Sequence, residues 1–176
     1  PNAEMVLGVE GTCLHCFKPD NVDEFDEMVD MENTFPGDKM VGITYAGSSE
    51  EDKYGLTDWF YVITQKGRLF ELGYSIKEGV YICGVDSSGV DRDILRDLGD
   101  TGIHTGDEDS FNSIYYDPDS GYIFWSMYDG SDAVKLYALT PYGSEDGTSP
   151  GAYFLGSLPQ ENWPFVGLYG TSGKDG

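Results

Sequence analysis

Cys13-Leu14-His15-Cys16 gathers three soft metal ligands into four residues, and Cys83 and His104 lie elsewhere to complete a zinc site. The surrounding Thr12 to Phe17 reads as a strand, in which Cys13 and His15 share one face and Cys16 takes the other. Without a bend the three cannot converge, so the simpler reading is small hydrophobes buried in a hairpin. Nucleophilic catalysis by Cys16 or Cys83 would need His15 or His104 as base, and no Gly-x-Ser-x-Gly elbow occurs. No catalytic residue is therefore assigned.

Carboxylates are too abundant to be informative singly. Asp107-Glu108-Asp109, or Asp117 with Asp119, would serve glycoside hydrolysis only if fixed at a defined separation across a cleft. Calcium is the more physical match for acidic loops, because a hard cation takes several oxygen ligands. Asp86 to Asp93 and Asp129-Gly130-Ser131-Asp132 have suitable residue types for a structural calcium, yet neither completes an EF-hand loop. Gly42, Gly47 and Gly55 lack phosphate-loop spacing, and no cofactor is otherwise expected.

Exposed rings are the remaining candidates, since aromatic faces stack on ligands. Trp59, Trp125 and Trp163 lie in or beside strand-like runs, where core packing is the ordinary role. Trp163 differs in having Asn162 and Gln160 as polar neighbours just before Pro164. The ligand-binding residues expected are Trp163, Asn162, Tyr54 and Tyr142, all outside the strand-like runs.

The elements that would carry these residues recur. Met5 to Val9 with Thr12 to Phe17, Trp59 to Thr64 with Arg68 to Leu72, and Tyr122 to Met127 with Val134 to Leu139 share one hairpin pattern. Each has a companion strand: Phe165 to Tyr169, Met40 to Tyr45 and Ser113 to Tyr116 respectively. The central Leu14, Leu69 and Leu136 are spaced by 55 and 67 residues, a period suited to four-stranded units with insertions. β-branched and aromatic residues dominate the runs, and Gly, Asp, Asn and Pro punctuate them. Asp117-Pro118-Asp119-Ser120-Gly121 is the clearest turn, with Pro118 presetting φ and Gly121 supplying the permissive position.

Through Tyr115-Tyr116-Asp117-Pro118, the Gly121 turn and Ile123-Phe124-Trp125, the chain resembles extracellular β-propeller repeat proteins of the broad YWTD-like and NHL-like group over residues 40 to 170. The YWTD tetrapeptide itself is not present. The resemblance implies radially arranged blades, a location outside the cell or at its surface, and recognition through blade loops.

The expected fold is all-β, with about three four-stranded antiparallel propeller-like blades in one domain over 1–176. The units are 1–39 plus 165–170, 40–110 and 111–164. Three blades fall short of the four or more that close a ring, so another chain, a second copy or a missing segment is expected to complete it. The chain opens at Pro1 without a start Met or signal pattern and reads as a processed chain or an excised piece. Two stretches are ambiguous. Asp20 to Glu32 fits a short acidic helix or an outer strand equally, whereas in Asp91 to Leu98 the repeat position favours a strand over a helical face.

Composition narrows the partners. Thirty-two acidic residues against ten basic give a formal charge of -22, which repels phosphate backbones and anionic headgroups, so nucleic acid is excluded. No apolar run reaches the roughly 20 residues of a membrane span, and no membrane insertion is expected. An odd count of three cysteines does not indicate a disulfide scaffold. These features point to a noncatalytic binding or adhesion module of an extracellular protein with a protein or glycan ligand. A fragment of a glycoside-active propeller enzyme and a ligand-free spacer domain are the alternatives.

Overall fold

Runs of Val, Ile, Leu and aromatic residues too short for helices form twelve strands among the described residues, and no helix occurs there. The computed structural model describes residues 6–10, 13–18, 21–30, 37–52, 55–75, 80–82, 96–105, 111–128, 133–143 and 149–159. For 6–30 and 80–82 only the backbone pairing enters the description. The strands are β1 (Val6–Glu10), β2 (Cys13–Lys18), β3 (Asn21–Asp30), β4 (Met40–Asp52), β5 (Gly55–Thr64), β6 (Arg68–Ser75), β7 (Val80–Ile82), β8 (Arg96–Asp100), β9 (Phe111–Asp117), β10 (Tyr122–Tyr128), β11 (Ala133–Thr140) and β12 (Gly151–Pro159).

They form three antiparallel sheets in which every strand but β8 pairs with a sequence neighbour. The first is β1-β2-β3 and the third is β9-β10-β11-β12. The middle sheet runs β4-β5-β6, and β7 and β8 share the remaining edge of β6. β7 lies opposite Gly73 to Ser75, and β8 opposite Arg68 to Glu71. The middle sheet is therefore four strands wide with a divided outer strand. β1 lies against β4, and β4 against β9. The all-β class is as expected from the sequence. Asn21 to Asp30 is a strand, which decides against the helix there, and Arg96 to Leu98 is strand as the repeat position favours, while residues 91–95 of that stretch lie outside the described residues. The companion strand placed at Phe165 to Tyr169 lies outside the described residues.

One irregularity recurs. Leu14 pairs with Val29 and His15 with Glu27, leaving Met28 as an extra residue on β3. Leu69 pairs with Gly99 and Phe70 with Asp97, leaving Leu98 extra on β8. Leu136 pairs with Gly156 and Tyr137 with Phe154, leaving Leu155 extra on β12. Each is a β-bulge on the outer strand, set just after the central leucine, where the extra residue bends the strand and strengthens its twist. Gly99 and Gly156 follow their bulged leucines with φ of 119° and 152°, a backbone that side chains rarely adopt.

Hairpin geometry sets the faces. Ile63 lies opposite Leu69 and Tyr61 opposite Glu71, so these four share one face of the middle sheet while Val62, Phe70 and Leu72 take the other. Both faces are buried: Val62, Ile63, Leu69, Phe70 and Leu72 are fully enclosed. This explains why β5 and β6 read as nearly continuous apolar runs rather than as alternating ones. The Leu69 face packs on Ile114, Ile123, Trp125, Met127 and Leu139 of the third sheet. The two sheets approach closely at Gly42, where an added Cβ would stand 3.3 Å from Ile114 of the third sheet and 3.2 Å from its own neighbour Ile63. The Tyr116 N–H donates to the Thr44 hydroxyl at 3.0 Å, tying β9 to β4.

The Asp117 turn folds as its sequence suggests. Gly121 N–H donates to the Asp117 carbonyl at 2.8 Å, and Asp119 N–H and the Ser120 hydroxyl donate to the Asp117 carboxylate. The Ser120 hydroxyl is the main reason that carboxyl lies below its ordinary value of 3.8.

Candidate functional site

The polar residues that could do chemistry begin as one row across the middle sheet. Thr44, Tyr61, Glu71 and Arg96 are successive register partners on β4, β5, β6 and β8. The row lies on the face turned toward the third sheet, and Glu71 is only 7% exposed. A carboxylate there is tolerable because its lone pairs are met. Arg96 donates to one oxygen at 3.1 Å, and the Tyr142 hydroxyl donates to the other. Tyr142 arrives from the third sheet, just past the end of β11, so the contact joins two sheets. The Arg96 guanidinium also stands over the Tyr142 ring, 5.9 Å from its centroid.

Tyr61 extends this into a relay. Its hydroxyl hydrogen-bonds to Tyr142, which in turn donates to Glu71. Burial, then the bond to Tyr142 and the nearby Glu71 charge, hold the Tyr61 phenol well above its ordinary value. Tyr142 is pushed up to about 12 by burial first and by Glu71 second. Tyr61 and Tyr116 meet edge to face at 5.2 Å, closing the cluster on the apolar side.

A second constellation occupies the opposite face. Buried Asp58 accepts from the Ser48 hydroxyl, and the Tyr45 hydroxyl stands 2.6 Å from Ser48 and 3.4 Å from Asp58. The Tyr45 ring is partly exposed and meets Phe60 edge-on at 5.6 Å. Trp59 points the other way and donates its indole N–H to Ser49 at 3.0 Å. A third buried carboxylate, Asp38, accepts from the Lys39 and Lys66 amides at 2.9 and 3.1 Å and clamps the β5–β6 turn.

These carboxylates do not form an acid and base pair. Asp58 and Glu71 lie on opposite faces of one sheet, and Asp38 sits at its turn. Each is engaged by hydroxyls, amides or a guanidinium of the scaffold. Glycoside hydrolysis requires two carboxyl groups about 5–9 Å apart across one cleft. The arrangement here anchors sheets and turns instead.

The third sheet supplies a different feature. Trp125 is fully buried and donates to Asn112 at 3.0 Å. From it Tyr137 and Phe154 step outward, with ring centroids 6.0 and 5.5 Å apart, to the surface. On the outer strand β12, Tyr153 is 49%, Phe154 60%, Leu155 56% and Leu158 42% exposed. β12 is an edge strand among the described residues.

Of the ligand residues expected from sequence, Tyr142 is found largely exposed but with its hydroxyl committed to Glu71. Tyr54, Asn162 and Trp163 lie outside the described residues, as do Cys83 and the acidic loops at 86–93 and 129–132. Among the described residues no three His, Cys, Asp or Glu side chains gather to hold a metal. Sequence reading missed Tyr61, Glu71 and Arg96. The signal was present in Leu69-Phe70-Glu71-Leu72, where the acid shares the parity of a buried leucine. No protein-family model, no curated protein and no solved structure matches the chain.

Proposed function

We propose that the chain is a noncatalytic binding module of an extracellular or cell-surface protein, built as a propeller-like array of three diverged repeats. The bulge placed after Leu14, Leu69 and Leu136 supports the repeats, since unrelated sheets have no reason to share it. The sequential meanders and the adjacency of β4 and β9, the first strands of their units, support a radial order with first strands inward.

One observation carries the binding role: four large apolar side chains of β12 stand exposed on a chain of formal charge -22. An apolar strip within an acidic surface marks an interaction site, and an edge strand offers its backbone to a partner strand. The ligand that fits is an extended segment with alternating apolar and basic residues, pairing with β12 by strand addition and attracted by the acidic field.

A synthetic peptide alternating valine and lysine tests this. Binding is expected to protect the Gly151 to Pro159 amides from hydrogen exchange, to weaken as salt rises, and to fall at least tenfold in Phe154→Asp. An unprotected strand, or binding unchanged in that variant, would refute the reading.

Glycan recognition is the second reading. It is favoured by the partly exposed Tyr45 ring beside the Asp58 and Ser48 acceptors, a pairing of stacking face and hydrogen-bonding groups suited to a sugar. Glycan binding abolished in Tyr45→Ala would shift the ligand assignment to that face.

A further inference from the structure

Tyr45 and Ser48 stand three residues apart on β4, a spacing that strict alternation would divide between the two faces of the sheet. A bulge puts them on one. Tyr45 pairs with Phe60 and Gly47 with Trp59, so Ala46 is an extra residue on β4, and Ser48 then falls opposite Asp58. Phe60 and Asp58 share a face of β5, and the two hydroxyls converge there on the Asp58 carboxylate. Bulges re-aim side chains in this way beside binding sites.

Two protons serve the three oxygens of this cluster, and both are held inside it. Asp58, 1% exposed, accepts as a carboxylate, so the Ser48 hydroxyl donates to its Oδ1. Tyr45 Oη lies 2.6 Å from Ser48 Oγ and 3.4 Å from Asp58 Oδ1, so the phenol proton goes to one of those oxygens. Toward solvent the partly exposed Tyr45 therefore presents an accepting oxygen and an aromatic ring, with a buried negative charge behind them. An ammonium group is the match: it donates three hydrogen bonds, accepts none, and is drawn both to a carboxylate and to a ring face. The formal charge of -22 and the run of Glu50, Glu51 and Asp52 at the end of β4 concentrate cations here. We infer that this site takes the protonated amine of an amino sugar of the glucosamine type, the apolar side of the pyranose lying on the Tyr45 ring. The inference rests on the glycan reading of this face and narrows it to sugars whose amine is not acetylated.

Calorimetric titration of the whole chain with a glucosamine tetramer and with its N-acetylated counterpart is the test, in mildly acidic buffer where the free amine is charged. The two probes share length and linkage and differ in charge. The charged tetramer is expected to bind roughly tenfold more tightly or better, and the difference to shrink in 1 M sodium chloride, where the screening length is about 3 Å. Asp58→Asn removes one of 32 acidic side chains, so the general field is nearly unchanged while the preference for the charged tetramer is expected to be lost. Tyr45→Phe keeps the ring without its oxygen and gives the same readout, a reduced preference, if Asp58→Asn does not fold. Equal binding of the two tetramers, or a preference that survives these substitutions, would overturn the amine assignment. Equal binding that disappears in Tyr45→Ala would leave the glycan reading standing without it, whereas no binding of either tetramer would remove both. Tetralysine bound as tightly as the glucosamine tetramer would overturn the choice of a sugar.

Discussion

The Leu69 face of the middle sheet and the Leu136 face of the third sheet occupy the same register behind the same bulge, yet their surroundings differ. The first is enclosed and contains a carboxylate, Glu71, bound by Arg96 and Tyr142. In the second, Ser126 and Ala138 are buried while Phe124 and Leu136 are only half-buried, and these matching rows hold no charge. A buried face tolerates an ion when neighbouring elements supply its partners, whereas an apolar face without a described sheet upon it keeps the composition of an interface.

The largest test of this contrast is a pair of truncations. Leu69→Ala is expected to cost about 2–5 kcal/mol in urea denaturation because it opens a cavity in the joint core. Leu136→Ala is expected to cost the isolated chain roughly 1 kcal/mol, since little further apolar area leaves contact. Equal costs would erase the distinction.

Gly42→Val should follow, at about 1–3 kcal/mol, because Ile63 and Ile114 leave no room for a side chain and β4 must separate from β9. A lower melting temperature with altered Trp125 fluorescence would locate the damage at that contact.

Tyr142→Phe comes next, at about 1.5 kcal/mol, through loss of a hydrogen bond to the Glu71 carboxylate. Its signature is the pH dependence. Both Tyr61 and Tyr142 have phenols raised above the ordinary 10.0. Above that value the unfolded chain loses protons that the folded chain keeps, so stability is complete below pH 10 and falls as pH rises toward about 12. Denaturation midpoints across that window should fall less steeply in Tyr142→Phe than in the parent.

The smallest contrast is between the two bulge glycines. Gly99→Ala combines an unfavourable φ with Pro150 standing 3.1 Å from the new Cβ, while Gly156→Ala meets nothing within 4 Å. Costs of about 2 and about 1 kcal/mol are expected, read from thermal melts in parallel.

Much of the architecture was legible from residue patterns. The β5–β6 and β10–β11 hairpins and the Asp117 turn came from periodicity and turn chemistry, which act over a few residues. The bulges were not legible, because one extra residue on an outer strand leaves the alternation of the inner strands untouched. The Glu71 cluster was half legible. An acid at a buried parity signals a need for partners, but Arg96 lies 25 residues away and Tyr142 lies 71, and no local rule connects them.

By itself the sequence determined that this chain is made of strands, where they turn and that its surface is strongly acidic, since backbone preference, side-chain alternation and charge are properties of neighbours and sums. Only the tertiary structure decided which of two equivalent faces is enclosed, which carboxylates are held by the scaffold and which apolar edge is left outward. Those outcomes depend on which sheet comes to lie on which, and distant segments settle that together.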